Sequence, residues 1–389
     1  MDRESIQKTL FALLRFEICG TELSDGDKNL SPESLSALYK LSKAHDLAHL
    51  VADALDKNGL LDLNDDTAKK FSRERQMAVY RYEQINYELE ELCQALETAK
   101  IEHIPLKGSV IRRLYPEPWM RTSCDIDILV REEQVENVVK LLVENLHYEY
   151  GERDEHDVSL YSAGGVHLEL HFKLSDVRIT QKGENVLAGV WALSAPREGW
   201  SYRKETTDGM FYFFHLAHMA KHFYEGGCGV RPFIDLWILN HKTPYERSER
   251  EKLLKEGSLS KFESGARALS EVWFSGAEQD ERTRNMQDYI LCGGVYGTME
   301  NGVVVKQARR GGKFKYILSR IFVPYKVLVI RYPSLKKHKW LFPFYQVRRW
   351  GRLLLKGKAK KSMRELNAGL NVSEEAKVSM EKLLHDLGL

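Results

Sequence analysis

The stretch Ile101–Val130, IEHIPLKGSVIRRLYPEPWMRTSCDIDILV, decides the reading of this chain. A short apolar run leads into Lys107-Gly108-Ser109, and a small helical segment is expected over Val110–Tyr115. A proline-rich turn (Pro116, Pro118) precedes Arg121, and Asp125-Ile126-Asp127 then heads the apolar run Ile128-Leu129-Val130. Side chains alternate along a strand, so Asp125 and Asp127 project from one face while Ile126 and Ile128 enter the core. Two carboxylates on one strand face repel each other, and a divalent cation relieves that repulsion. Oxygen-only ligands favour magnesium. A solvated edge strand would also read Asp-x-Asp, but here a Gly-Ser turn stands sixteen residues ahead of the pair.

A Gly-Ser turn followed by Asp-x-Asp on the next strand resembles the nucleotidyltransferase fold of the DNA polymerase beta superfamily. Leu106-Lys107-Gly108, Tyr115-Pro116, Arg121 and Asp125-Ile-Asp127-Ile-Leu-Val together resemble a bacterial family of uncharacterised nucleotidyltransferases. Glu169-Leu170-His171, the His-rich segment near 218 and segments near 332 and 350 extend the likeness over roughly residues 40 to 355. The resemblance implies an α+β fold, in which a polymerase-beta-like core, a small mixed sheet with helices, sits within mostly α-helical N- and C-terminal regions. It also implies an Mg2+-dependent enzyme using NTP, ATP among the candidates, with two magnesium ions (or Mn2+) held by Asp125, Asp127 and Glu169. Glu169 takes its place by this resemblance: it would complete the acceptor-side metal site and help deprotonate the nucleophile. Lys107, Gly108, Ser109 and Arg121 would meet the triphosphate. Gly108 permits close backbone approach, the Ser109 hydroxyl can bind a phosphate oxygen, and the two cations can neutralise charge. Lys107 stands where the superfamily commonly has an apolar residue.

Composition bounds the rest. At 389 residues and 43% hydrophobic content, the chain is an ordinary globular protein with room for one large core or two to three smaller ones. No secretory signal and no apolar run of about 18 residues is visible, so a cytoplasmic protein is expected, or one peripheral at the inner membrane. Five scattered cysteines without Cys-x-x-Cys spacing favour reduced thiols. Cys124, next to Asp125, is expected to be a buried structural thiol. The net charge of +2 conceals a block, residues 301–364, with nineteen Lys or Arg and no acid. Tyr325, Tyr332, Trp340, Tyr345 and Trp350 are interleaved with those cations. Stacking on single-stranded nucleic acid, contact with an anionic membrane surface, and a solvated face over packed aromatics all remain open.

Four regions follow: an N-terminal helical region (1–100), a catalytic core (101–180), a helical region closing the nucleotide pocket (181–280) and the basic, aromatic-rich region (281–389). In the first, Ser31-Pro32-Glu33 starts a helix, and Asp65–Lys100 reads as one long helix with Tyr80, Tyr82, Ile85, Leu89, Leu92 and Leu96 inward. In the second, a helix is expected over Glu132–Asn145 and strands over His147–Gly151, Val158–Ser162 and Val166–Phe172, with Gly164-Gly165 as a hairpin turn. His167, Glu169 and His171 then share a face, and His171 can hold Glu169 or a phosphate. In the third, His218 and His222 are one helical turn apart, either as metal ligands or as core or pocket histidines. The absence of Glu after His218 excludes the His-Glu-x-x-His zinc motif. Arg231 and Asp235 are pocket-lining candidates by analogy with the superfamily. The acceptor, whether sugar, small molecule, protein or RNA, is not read from these residues. The competing function classes are a catalytically silent nucleotide- or RNA-binding protein and a basic membrane-surface scaffold.

Overall fold

Helices fill the N-terminal region: α1 Arg3–Cys19, α2 Asp25–Lys28, α3 Pro32–Ala44, α4 Ala48–Lys57 and α5 Asp66–Thr98. The structure, a computed structural model, describes residues 2–174, 180–294, 297–310, 313–325, 328–329, 332–355, 368 and 370–389. Helix α3 starts as expected, with Ser31 capping the amide of Ser34 and Pro32 in the first turn. The 33 residues of α5 run about 50 Å at the usual helical rise. Asp65 caps its start by accepting from the amides of Thr67 and Ala68. Tyr80 does not face inward as expected; it is 61% exposed, and Ala78 and Phe71 are buried instead. Over so long a helix the buried stripe drifts as its packing partner changes.

The sheet is built from β1 His103–Pro105, β2 Asp125–Val130, β3 Glu149–Arg153, β4 Asp157–Tyr161 and β5 His167–His171, with α6 Gly108–Ile111 after β1 and α7 Val135–Asn145 after β2. Its order is β1-β2-β5-β4-β3. Strands β2 and β5 are parallel and the other pairings antiparallel, so the sheet is mixed and the α+β expectation holds. Gly165, at φ 79°, supplies the left-handed turn of the β4–β5 hairpin. Strand β3 starts two residues later than expected, because His147 turns the chain at φ 56°. Ile126, Ile128, Val130, Leu168 and Leu170 pack against Leu89, Leu92 and Leu96 of α5 and Val135, Val138 and Leu142 of α7. The alternate residues face the other way.

The chain continues through α8 Gln181–Ala188, the hairpin β6 Ser194–Pro196 and β7 Lys204–Thr206, then α9 Asp208–Glu225, α10 Arg231–His241, α11 Arg247–Glu256, α12 Ser260–Phe274 and α13 Glu281–Leu291. These helices share a core with the N-terminal ones, where Phe11 of α1 stacks on Trp273 of α12 at 4.7 Å. The second core therefore covers the acid-bearing side of the sheet with helices drawn from both ends of the sequence.

Of the basic block, residues 311–312, 326–327, 330–331 and 356–364 lie outside the described residues. Within the described part, Trp350 Nε1 donates to the Ile321 carbonyl at 3.0 Å and Tyr345 stacks on Tyr332 at 4.5 Å. Trp340 is 77% exposed. Among the described residues no helix is long and apolar enough to cross a membrane.

Candidate active site

The register of β2 against β5 assembles the acids. Asp125 pairs with His167, Asp127 with Glu169 and Leu129 with His171, so Asp125, Asp127, His167, Glu169 and His171 share the face turned away from α5. Asp127 is buried, and Lys107 Nζ and His171 Nε2 both donate to its Oδ1, at 2.6 and 2.9 Å. Glu169 Oε2 lies 3.3 Å from His171 Nε2 and 3.8 Å from Lys107 Nζ. Burial alone would raise the pKa of Asp127, but the Lys107 charge and the His171 hydrogen bond outweigh it and hold the carboxyl far below the carboxylate range. Asp125 shifts upward, first through burial and then through the neighbouring Asp127 charge. Burial would lower His171, yet its bonds to Asp127 and Glu169 raise it.

Lys107 reaches this position through an unusual backbone. It sits at φ 44°, ψ −122° ahead of α6, in a region glycine prefers and other residues occupy at a cost of roughly 1–3 kcal/mol. Two contacts fix the turn. The Leu106 amide donates to the Asp127 carbonyl at 3.0 Å, and buried Arg112 donates through Nε to the Gly108 carbonyl at 2.8 Å and through Nη2 to Ser123 Oγ at 2.6 Å. Burial lowers the Arg112 pKa to about 10. Gly108 lines the cavity described next, whereas the Ser109 hydroxyl is buried and has no hydrogen-bond partner among the described residues.

A cavity of about 600 Å3 opens over the acid face. Asp125, Asp127, Glu169 and His171 form one wall, and Phe214, His218 and His222 of α9 with Arg231 of α10 form the other. Its size is that of a site for a nucleotide-sized ligand. His218 and His222 meet through their Nε2 atoms at 3.0 Å, and burial, followed by the charges of Lys107 and His222, holds His218 well below its ordinary pKa. Both line the cavity, and among the described residues neither belongs to a group of three potential metal ligands. Cys124 is exposed and lines the cavity, against the expectation of a buried thiol, because strand β2 starts only at the next residue.

Arg121 and Asp235 face the same cavity but are joined to each other. Arg121 Nε and Nη2 donate to Asp235 Oδ1 and Oδ2 at 2.7 and 2.8 Å, Tyr115 Oη donates to Oδ1 at 2.6 Å, and Arg121 Nη1 donates to the Thr122 carbonyl at 2.6 Å. Burial would raise the Asp235 pKa, but the Arg121 charge and these hydrogen bonds lower it. The guanidinium expected at a triphosphate lines the cavity and ties the β2 approach to α10. Arg231 forms a second tie. Its Nη1 donates to Asp46 Oδ2 at 2.8 Å, and Thr122 Oγ1 donates to the same oxygen at 2.8 Å. The Arg231 Nε is buried and has no hydrogen-bond partner among the described residues. Asp46, in the left-handed region at φ 56°, brings the N-terminal helices to the cavity wall. It has no local sequence signal, since its partner stands 185 residues away.

The donor atoms fit a divalent metal ion. Asp127, Glu169 and His171 offer ligand atoms within 4.8 Å of one another, and so do Asp125, His167 and Glu169. Within the second group, the His167 Nε2 is buried and has no hydrogen-bond partner among the described residues. His167 was legible only as a residue on the acid face, because its pairing with Asp125 is set by the parallel register.

A family model described as an uncharacterised nucleotidyltransferase matches residues 31–275, more than half of the chain. No curated protein and no solved structure matches the chain.

Proposed function

The chain belongs to this uncharacterised nucleotidyltransferase family, and from that premise we propose that it transfers a nucleoside monophosphate from an NTP to an acceptor nucleophile at the Asp125–Asp127–Glu169 face. The observation that supports the reading best is the convergence of three carboxylates on one wall of the 600 Å3 cavity, beside the Lys107-Gly108 turn. Phosphoryl chemistry asks the protein mainly to position groups and neutralise charge, which is what these residues can do. Asp125, Asp127 and Glu169 would hold Mg2+ or Mn2+, which when bound neutralises phosphate oxygens and acidifies the attacking group. The two ligand groups that share Glu169 suit a two-ion scheme.

The remaining roles belong to the chain itself. His171 orients Asp127 through its 2.9 Å hydrogen bond. Glu169, more exposed than Asp127, accepts the acceptor's proton. Lys107 and Arg231 face the phosphates from opposite walls, and Gly108 lets the backbone approach them. Arg121, Tyr115 and Asp235 keep the two walls in register. Phe214 of α9 lines the side where the base would lie.

The Lys107–Asp127 contact favours one competing reading, a catalytically silent nucleotide- or RNA-binding protein whose lysine replaces the metal ion. Incubating the pure protein with each α-labelled NTP, Mg2+ or Mn2+ and a cell extract separates the two. Label that moves to a sugar, small molecule, protein or RNA, and fails to move with Asp127→Asn, supports transfer and identifies the acceptor class. Saturable NTP binding with no label moved from any NTP supports the silent protein.

A further inference from the structure

We propose that in the nucleotide-free protein a single divalent metal ion enters at Asp125–His167–Glu169, with an imidazole nitrogen of His167 as ligand, while the Lys107 ammonium keeps the neighbouring Asp127–Glu169–His171 position. The two positions share Glu169 but differ in what already fills them. At Asp127 a cation is in place: Lys107 Nζ lies 2.6 Å from Asp127 Oδ1 and 3.8 Å from Glu169 Oε2. His171 Nε2 is also engaged, donating to that same Asp127 oxygen. A metal ion there must displace an ammonium held on a fixed turn.

The Asp125 position lacks any such occupant. Asp125 makes no salt bridge among the described residues. His167 pairs with it across the parallel register, and its ring lies on Tyr161 at 4.9 Å with an interplanar angle of 23°, which fixes the ring plane. Among the described residues its Nε2 is buried without a hydrogen-bond partner, and an imidazole in that state gains from coordination what it lacks in hydrogen bonding. Two carboxylates with an imidazole form a mixed nitrogen–oxygen donor set. Such a set suits a transition-metal ion such as Mn2+ better than Mg2+, which prefers oxygen and retains its waters.

The inference rests on the transferase reading of this site, and the experiment lets the two fail separately. Full-length, nucleotide-free protein is titrated with Mn2+, following free Mn2+ by electron paramagnetic resonance and 14N coupling by pulsed methods. The expected result is one tight Mn2+ per chain with nitrogen coupling, displaced by Mg2+ only in large excess. His167→Ala should abolish the coupling and weaken Mn2+ at least about tenfold. His171→Ala should keep the coupling, and Lys107→Met should admit a second Mn2+. Circular dichroism checks each fold, and His167→Gln, which keeps volume but brings no imidazole, replaces the alanine variant if that one fails to fold. Coupling that survives in both His167 variants, two Mn2+ in the wild type, or no tight Mn2+ would overturn the proposal. Label transfer with Mg2+ and no nitrogen coupling would remove the His167 ligand alone. Nitrogen-coupled Mn2+ with no transfer from any NTP would remove the transferase reading alone.

Discussion

Two cation–carboxylate pairs, Arg121–Asp235 buried and Lys107–Asp127 with a half-buried lysine, stand at the same cavity and are built in opposite ways. In the Arg121–Asp235 pair both carboxylate oxygens are engaged, Tyr115 adds a hydrogen bond, and the remaining guanidinium nitrogen finds a carbonyl. Charge and hydrogen bonding balance within the pair, and it acts as a clamp. In the Lys107–Asp127 pair the contacts crowd onto one oxygen, two further carboxylates stand alongside, and the lysine backbone is strained. That region carries more negative charge than its own cations neutralise. One pair is satisfied within itself, and the other is left with unbalanced charge. A buried carboxylate is common to both, whereas unbalanced charge and a strained backbone mark the second.

The comparison breaks first on activity. Asp127→Asn should lower label transfer by about 10^4-fold, some 5.5 kcal/mol of transition-state stabilisation, with the circular dichroism spectrum unchanged. Comparable loss from an Asp235→Asn variant that remains fully folded would erase the distinction between the pairs. The clamp should instead appear in stability. Asp235→Asn strands the buried Arg121 charge, and denaturant titration should show a loss of about 3–5 kcal/mol.

The pH dependence sharpens the same point. The folded pKa of Asp235 lies below its unfolded value, so its contribution is fully present above the ordinary carboxylate range and is lost as pH falls through the depressed folded value. The stability gap between wild type and Asp235→Asn should therefore stay constant from pH 7 to about pH 5 and shrink in more acidic solution. A gap that widened on acidification would contradict the clamp. The smallest effect concerns strain. Lys107→Gly and Lys107→Met both remove the ammonium, but only glycine suits φ 44°, ψ −122°. Thermal denaturation should place the glycine variant about 1 kcal/mol above the methionine variant, the relief of strain less glycine's entropy cost. Equal stabilities would mean that the strain is no larger than glycine's own entropy cost, roughly 0.5–1 kcal/mol.

Much of the acid face was legible from local pattern. Period-two alternation in Asp125-Ile-Asp127-Ile and in His167-Leu-Glu169-Leu-His171 fixes which side chains share a face, because that geometry belongs to each strand alone. The caps at Ser31 and Asp65 and the turn at Gly165 were likewise local, each satisfied by residues a few positions away. Tyr80 and Cys124 were misplaced because each lies where a local pattern ends: a helix face that changes partner, and a residue just before its strand.

The sequence by itself therefore determined the α+β class, the clustered carboxylates and the Lys-Gly-Ser turn beside them. Only the tertiary structure decided what each cation contacts. Arg121 and Lys107 both read as phosphate-binding cations, yet one is spent on Asp235, 114 residues away, and the other rests on Asp127 across the sheet. The parallel register of β2 and β5 brought His167 to Asp125, and packing of the N-terminal helices brought Asp46 to Arg231. Charges act through distance in space, and neither spacing nor composition records which of many opposite charges the fold brings within 3 Å.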